Sequence, residues 1–167
     1  MEKLLHYVWM HKLLPSKMFT TTDGQSVKIL DPGQHNTNQG PDFINARIEI
    51  NGIIWSGNVE IHHASNDWYK HKHHQDPVYN TTILHVVEQA NRDVCTESSS
   101  NVPQMIIEVP QQVKDNYEEL LATTDYPRCH NFVPNIPSIK VHSWLDALLA
   151  ERLEARSKNV LDILKEN

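Results

Sequence analysis

The chain has 167 residues, 39% of them hydrophobic and 22% charged, which suits one ordinary domain with a real core, and no apolar run is long enough to span a membrane. Its formal net charge of −6 argues against a broad nucleic-acid surface, because non-specific affinity comes mainly from Lys and Arg on phosphates, yet it leaves room for an acidic metal site. Histidine is the oddity: of 11 in the chain, those from His62 to His85 add metal-binding capacity more than charge.

The chain begins MEKLLHYVWMHKLL, with charge and histidine among the apolar residues. It lacks the apolar core and cleavage site of a signal peptide, so a structural helix and a cytoplasmic location are expected. Leu4, Leu5, Val8, Trp9 and Leu13 recur at steps of three and four, which predicts an amphipathic helix over 2–14 that Pro15 ends. Glu2 and His6 lie one turn apart and read as a solvated pair. Val27 to Leu30 is a short strand stopped by Asp31-Pro32-Gly33. The segment GQHNTNQG reads as a polar loop, in which Asn36 and Asn38 either orient a substrate or build turns.

A hairpin follows. Ile44, Ala46, Ile48 and Ile50 alternate with Asn45, Arg47 and Glu49, the period of a half-buried strand. Asn51-Gly52 is a strong two-residue turn signal. On the return strand Ile53, Trp55, Val59 and Ile61 share one parity, and Asn58, Glu60 and His62 the other. A regular two-residue turn places Asp42 opposite Ile61, on the wrong face for Glu60. Asp42 joins Glu60 and His62 only through a bulge, for which Ser56-Gly57 is the expected place, through a longer turn, or by lying just outside the strand.

Trp68 to Gln75 is expected to form two helical turns ended by Asp76-Pro77, with His71 and His74 on one face. The run TTILHVV, 81–87, reads as a strand buried on both faces, with His85 inside it. Glu88 to Pro103 reads as a loop with a short strand near Asp93–Cys95. Met105 to Val109 is a further strand, and Gln111 to Ala122 a helix with Val113, Tyr117, Leu120 and Leu121 inward. Residues 1–124 are thus expected to form the core, 125–137 a Pro-containing linker, and 138–167 an amphipathic helix. The apolar face of that helix would dock on the core, pair with another copy of the chain, or meet a C-terminal region beyond this one. Cys95 and Cys129 have no metal or disulfide spacing.

The candidate chemistry is Asp42, Glu60 and His62 around a divalent ion, Mg²⁺ or Mn²⁺ for an oxygen-rich set and Zn²⁺ as nitrogen ligands are added. A bound ion lowers the pKa of its water and offsets charge on a phosphoryl oxygen. His71, His73 and His74 are read as a second histidine group, forming a separate metal site, a phosphate-contacting edge or a solvated helix face, and His85 as a structural residue or one that points into the same site. The bland reading of the hairpin is a polar edge, with Asp42 capping the Gly-Pro turn, Glu60 pairing with Arg47 and His63 a bystander. Trp55 and Trp68 are expected in the core.

The order helix, strand, Pro41-Asp42 strand, Glu60-Ile61-His62 strand, helix, strand resembles the PD-(D/E)XK nuclease superfamily. The resemblance implies an α/β fold with a mixed central sheet of about five strands flanked by helices. It also implies a metal held by Asp42 and Glu60, and nucleic acid as the partner. His62 departs from the pattern by standing where Lys is expected. The strings NQGPDFINA, WSGNVEIH, SNDWYKHKHHQDPVYN, ILHVV and ERLEARSK also resemble an uncharacterised bacterial family over nearly the whole chain. That resemblance implies an N-terminal portion or short version of longer proteins, with no activity attached. Three functions follow as expectations: a metal-dependent phosphodiesterase or nuclease with Asp42, Glu60 and His62 as catalytic residues and Asn36, Asn38, His71 and His85 towards substrate; a non-catalytic binding or scaffold module; and a His-rich Zn²⁺ hydrolase of a small molecule.

Overall fold

A computed structural model describes residues 2–14, 18–124 and 133–165. Pro15, Cys129 and most of the expected linker lie outside the described residues. The chain divides into two units, Met1–Tyr117 and Glu118–Asn167.

In the first unit, helix α1 (Glu2–Met10) buries the predicted stripe Leu4, Leu5, Val8 and Trp9. It packs against a sheet of seven strands: β1 (Phe19–Thr20), β2 (Ser26–Asp31), β3 (Gln34–His35), β4 (Phe43–Ile50), β5 (Ile53–Ala64), β6 (Thr82–Gln89) and β7 (Gln104–Ile106). The order is β1-β2-β4-β5-β6-β7, with β3 paired on β4. The strands from β1 to β5 pair antiparallel, and β5-β6 and β6-β7 pair parallel. A bridge from Thr21 to Met105 draws the sheet's two ends together, so it curls nearly into a barrel. The expected sheet of about five strands is therefore larger. β1 is a two-residue segment with little pattern to read. β3 lies in the segment expected to be loop, because its two exposed residues have no apolar alternation.

Asn51 and Gly52, with φ of 50° and 80°, make the predicted two-residue turn, and Ile50 pairs with Ile53. The bulge exists, but on the other strand from the one expected. Asn45 takes φ 58°, and the register shifts between Ala46↔Gly57 and Phe43↔Val59, so β4 carries the extra residue. The shift reverses parity at the start of β4: Phe43 is buried and Ile44 only half-buried, contrary to the alternation read from the sequence. Gly57 has a different task. A Cβ there would lie 2.4 Å from Ile83 Cγ2 and 2.7 Å from Thr81 O, so only glycine lets β6 approach with its own irregularity beside Asn58.

β6 is buried between its parallel neighbours, as its apolar run predicts. The connection from β5 to β6 holds α2 (Asp67–Lys70) and two short 3-10 turns, His73–Gln75 and Pro77–Thr81. The expected continuous helix is broken by Lys72, whose φ of 65° reverses the chain. Trp68, Tyr79, Val94 and Val102 form a small second core under this connection. The segment between β6 and β7 is loop-like, with a single bridge between Cys95 and Asn101. β7 is shorter than the expected strand. Helix α3 (Gln111–Ala122) has the expected bounds. Val113 and Tyr117 pack partly on the core, but none of its residues is fully buried, and Leu121 is exposed.

In the second unit, helix α4 (Ser138–Lys165) has the predicted start and leaves Trp144, Leu145, Leu149 and Leu153 exposed. No helix among the described residues is long and apolar enough to cross a membrane.

Candidate metal centre

The centre is built where the hairpin meets the β5–β6 connection. Glu60 and His62 project from one face of β5, two residues apart, and both are buried. Past the Asn45 bulge, Phe43 pairs with Val59, which brings Asp42 level with Glu60 just before β4 begins. The two acids fix each other through the backbone. The Asp42 N–H donates to Glu60 Oε2 at 3.0 Å, and the Ile61 N–H donates to Asp42 Oδ2 at 2.9 Å. Glu60 does not pair with Arg47; that residue lies opposite Ser56 on an exposed part of the hairpin.

Two histidines of the connection join this face. His62 Nε2 is 3.1 Å from His71 Nδ1 and 3.5 Å from Glu60 Oε1. His73 Nε2 is 3.1 Å from the same Glu60 oxygen, and its ring stacks on His62 with centroids 5.2 Å apart. The ligating atoms of His62, His71 and His73 lie within 4.8 Å of one another, so this cluster can hold a metal ion. The pairing expected from a helix, His71 with His74, is replaced. The left-handed turn at Lys72 swings His73 inward, while His74 rests on the Tyr69 ring at 4.9 Å. Tyr79 packs on the outer face of His73 with centroids 3.9 Å apart.

Behind His62, and not on the recess wall, lies His85. It is wholly buried, and its Nε2 is 2.9 Å from His62 Nδ1. Trp68 packs on it at 5.2 Å, in the core as expected. With His62 Nδ1 as the donor to His85, the His62 Nε2 lone pair would face His71 and His73, the tautomer a metal ligand needs.

The electrostatics suit an ion. Burial, followed by the neighbouring histidines, drives His62 down to about 2; burial takes His85 to about 4 and lowers His73. All three are neutral at physiological pH with lone pairs available. Burial, and next the Asp42 charge, raises Glu60 from 4.5 to about 9, so without a cation it keeps its proton. His73 Nε2 is buried and lies 3.1 Å from Glu60 Oε1 without the alignment of a hydrogen bond. This close but unaligned pair, His73 Nε2 and Glu60 Oε1, fits a shared cation.

The recess in front of these groups has a volume of about 170 Å³; Glu2, Asp42, Glu60 and Tyr79 are on its wall, which among the described residues carries no Lys or Arg. His6 closes one side. Its Nε2 is 3.2 Å from Asp42 Oδ2, so the Glu2–His6 face of α1 turns towards the site and is not merely solvated. Burial opposes a charge on His6, but Asp42, Glu2 and Glu60 outweigh it and raise its pKa.

The other sequence candidates fall elsewhere. Asn36 is a loop builder: its side chain donates to the Gln39 and Pro41 carbonyls and accepts from the Asn38 N–H. Asn38 is exposed on the rim of a neighbouring groove. His63 lies off the cluster and pairs with Glu88 at 2.7 Å. Sequence reasoning grouped His73 with His71 and His74 in a separate cluster and did not join it to His62 and Glu60, and it missed the contact of His6, which is set by helix docking.

The family model described as "Protein of unknown function (DUF2851)" matches residues 2–167. No curated protein and no solved structure matches the chain.

Proposed function

The chain belongs to this DUF2851 family of unknown function, and we propose that it is a metal-dependent phosphodiesterase or nuclease working at the His62–His71–His73 centre. The observation that carries this reading is the convergence of three imidazoles with Glu60 on one small recess beside Asp42. Such a nitrogen-rich donor set favours Zn²⁺ or Mn²⁺ over Mg²⁺. A divalent ion there would supply a water of lowered pKa and polarise a phosphoryl oxygen. His62, His71 and His73 would hold the ion, and Glu60, its proton displaced to solvent, would face it as a carboxylate. Asp42, oriented by the Ile61 N–H, would accept a proton at Oδ2 or position the attacking water. The likeness to the PD-(D/E)XK superfamily supports the substrate class: helix, Pro41-Asp42, the Glu60-Ile61-His62 strand, helix and a parallel strand occur in that order. His62 in place of Lys would act as a ligand and not as a fixed positive charge.

The test is calorimetric titration with Zn²⁺ and Mn²⁺, then hydrolysis of a p-nitrophenyl phosphodiester. Binding that His62→Ala and His73→Ala abolish, with turnover that Asp42→Asn also removes, is the expected result. A folded wild-type protein that binds neither ion overturns the reading. Hydrolysis of esters or amides with no phosphodiester turnover would favour a Zn²⁺ hydrolase of a small molecule, a second reading supported by the three nitrogens and by the lack of cations among the described residues of the recess wall. A scaffold module is the third. Its support is that Asp42 already faces His6 and Glu60 keeps a proton.

A further inference from the structure

We propose that the groove between α1 and residues 35–38 is the nucleoside-binding site of this centre, taking the base-bearing unit next to the phosphodiester in the recess. The proposal rests on the phosphodiesterase reading above and deepens it. The groove has a volume of about 540 Å³, roughly three times that of the recess at about 170 Å³. The recess suits an ion and a phosphoryl group, and the groove suits a larger ring-bearing part of the same ligand. Glu2 lines both, and the His6–Asp42 contact at 3.2 Å stands between them. A ligand lying in the groove would therefore reach the metal centre past a single pair of side chains.

The placement follows from how α1 packs. Leu4, Leu5, Val8 and Trp9 fix one stripe of the helix on the sheet. That leaves Lys3, His6, Tyr7 and Met10 as the groove's helical wall, with His35 and Asn38 opposite. The rings are held in place by other rings. His35 lies against Phe43 at 5.2 Å and His6 at 5.4 Å. Tyr7 is backed by His11 at 4.5 Å and remains 47% exposed. Aromatic faces fixed in this way can stack on a planar heterocycle without first losing much freedom. Lys3 brings a cation to the wall, and Asn38 has an amide for a base edge. Such a site also answers the charge problem. A chain of net charge −6 gains little from phosphate contacts, whereas stacking on a few rings needs no broad cationic surface.

The experiment compares thymidine 5′-(p-nitrophenyl phosphate) with methyl p-nitrophenyl phosphate as substrates in the presence of Zn²⁺ or Mn²⁺. Alongside it, adenosine monophosphate binding is measured by calorimetry for the wild type and Tyr7→Ala. Tyr7 is exposed, and a retained Zn²⁺ titre reports that the variant is folded. Tyr7→Ala should lower kcat/KM for the nucleoside ester about tenfold relative to the methyl ester and weaken adenosine monophosphate by a similar factor. Equal effects on both esters, or adenosine monophosphate that fails to bind or binds the variant as well as the wild type, would overturn the groove assignment. If neither ester is hydrolysed while adenosine monophosphate binding depends on Tyr7, the groove stands and the phosphodiesterase reading falls. If the methyl ester is hydrolysed and adenosine monophosphate does not bind, the groove alone falls.

Discussion

β5 carries Ile53, Ile54 and Trp55 in its first half and Glu60 and His62 in its second, and the burial of the two halves runs against residue type. The apolar residues are 61%, 60% and 49% exposed, while Glu60 and His62 are 4% and 2% exposed. The cause is what flanks each half. From Ile53 to Gly57 the strand has β4 on one edge and, among the described residues, no paired strand on the other, whereas from Asn58 to Ala64 β6 lies alongside it. The α2 connection and α1 cover the inner half. Hydrophobic burial cannot have selected a carboxyl and imidazoles for that covered half, because burying such groups without full pairing costs several kcal/mol. The inner half of β5 thus differs from the outer half by the polar cluster it gathers, one that can hold a metal ion.

The largest effect is expected at the inner half. His62→Ala removes the ligand that touches His71, His73 and Glu60 together. Zn²⁺ or Mn²⁺ affinity should fall by about a hundredfold or more, measured by competition with a chelating dye. Weaker loss would shift the centre away from β5 towards the connection. Next comes Gly57, where the two halves join. Gly57→Ala puts a methyl group 2.7 Å from the Thr81 carbonyl, a backbone atom that cannot swing aside. Stability should fall by about 2 kcal/mol in urea unfolding, with the slope unchanged. A neutral result would mean that β6 does not need its close approach.

Glu60→Gln tests the electrostatic side. In the folded, metal-free protein Glu60 holds its proton up to about 9, while the unfolded chain releases it near 4.5. Between those values the folded state binds more protons than the unfolded one, so its stability is greatest at the acidic end and is lost as pH rises. Gln does not titrate. The metal-free variant should match the wild type in mild acid and exceed it by on the order of 1 kcal/mol in mild alkali, read from thermal melts in the presence of chelator. Saturating Zn²⁺ should reverse the order. A variant no more stable than the wild type at alkaline pH would place Glu60 in a better-solvated setting than its burial indicates.

Much of the hairpin was legible because its signals are local. Asn51-Gly52 specifies the turn, and Glu60 and His62 share a face by strand period alone. Asp42 was legible as a partner but not its route. A bulge, a longer turn or a place just outside the strand would each serve, with Ser56-Gly57 the natural site for a bulge; Asp42 does lie just outside β4, but the bulge is at Asn45 and Gly57 serves strand packing instead. A polar residue tolerant of positive φ gives no local sign that it will use that freedom. The histidine run was visible, but its geometry was not. Helical spacing pairs His71 with His74, and only the reversal at Lys72, enforced by packing around Trp68 and Tyr79, selects His73. Contacts set by docking, such as His6 on Asp42, leave no periodic trace in sequence.

The smallest effect is expected at the outer half. Trp55 was expected in the core by parity, yet it is 49% exposed beside exposed Ile53 and Ile54. Parity predicts which residues share a face but not whether anything covers that face. An aromatic that stays half-exposed loses only about half of its water on folding, so replacing it removes less transfer energy than replacing a buried one. Trp55→Ser should therefore lower stability by no more than about 1 kcal/mol. Its Zn²⁺ titre should match the wild type, because Gly57 and Asn58 separate it along the strand from the buried run that begins at Val59. A loss of about 2 kcal/mol or more in the same urea assay would mean that this face is covered in solution, and the contrast between the halves of β5 would then come from different partners and not from exposure.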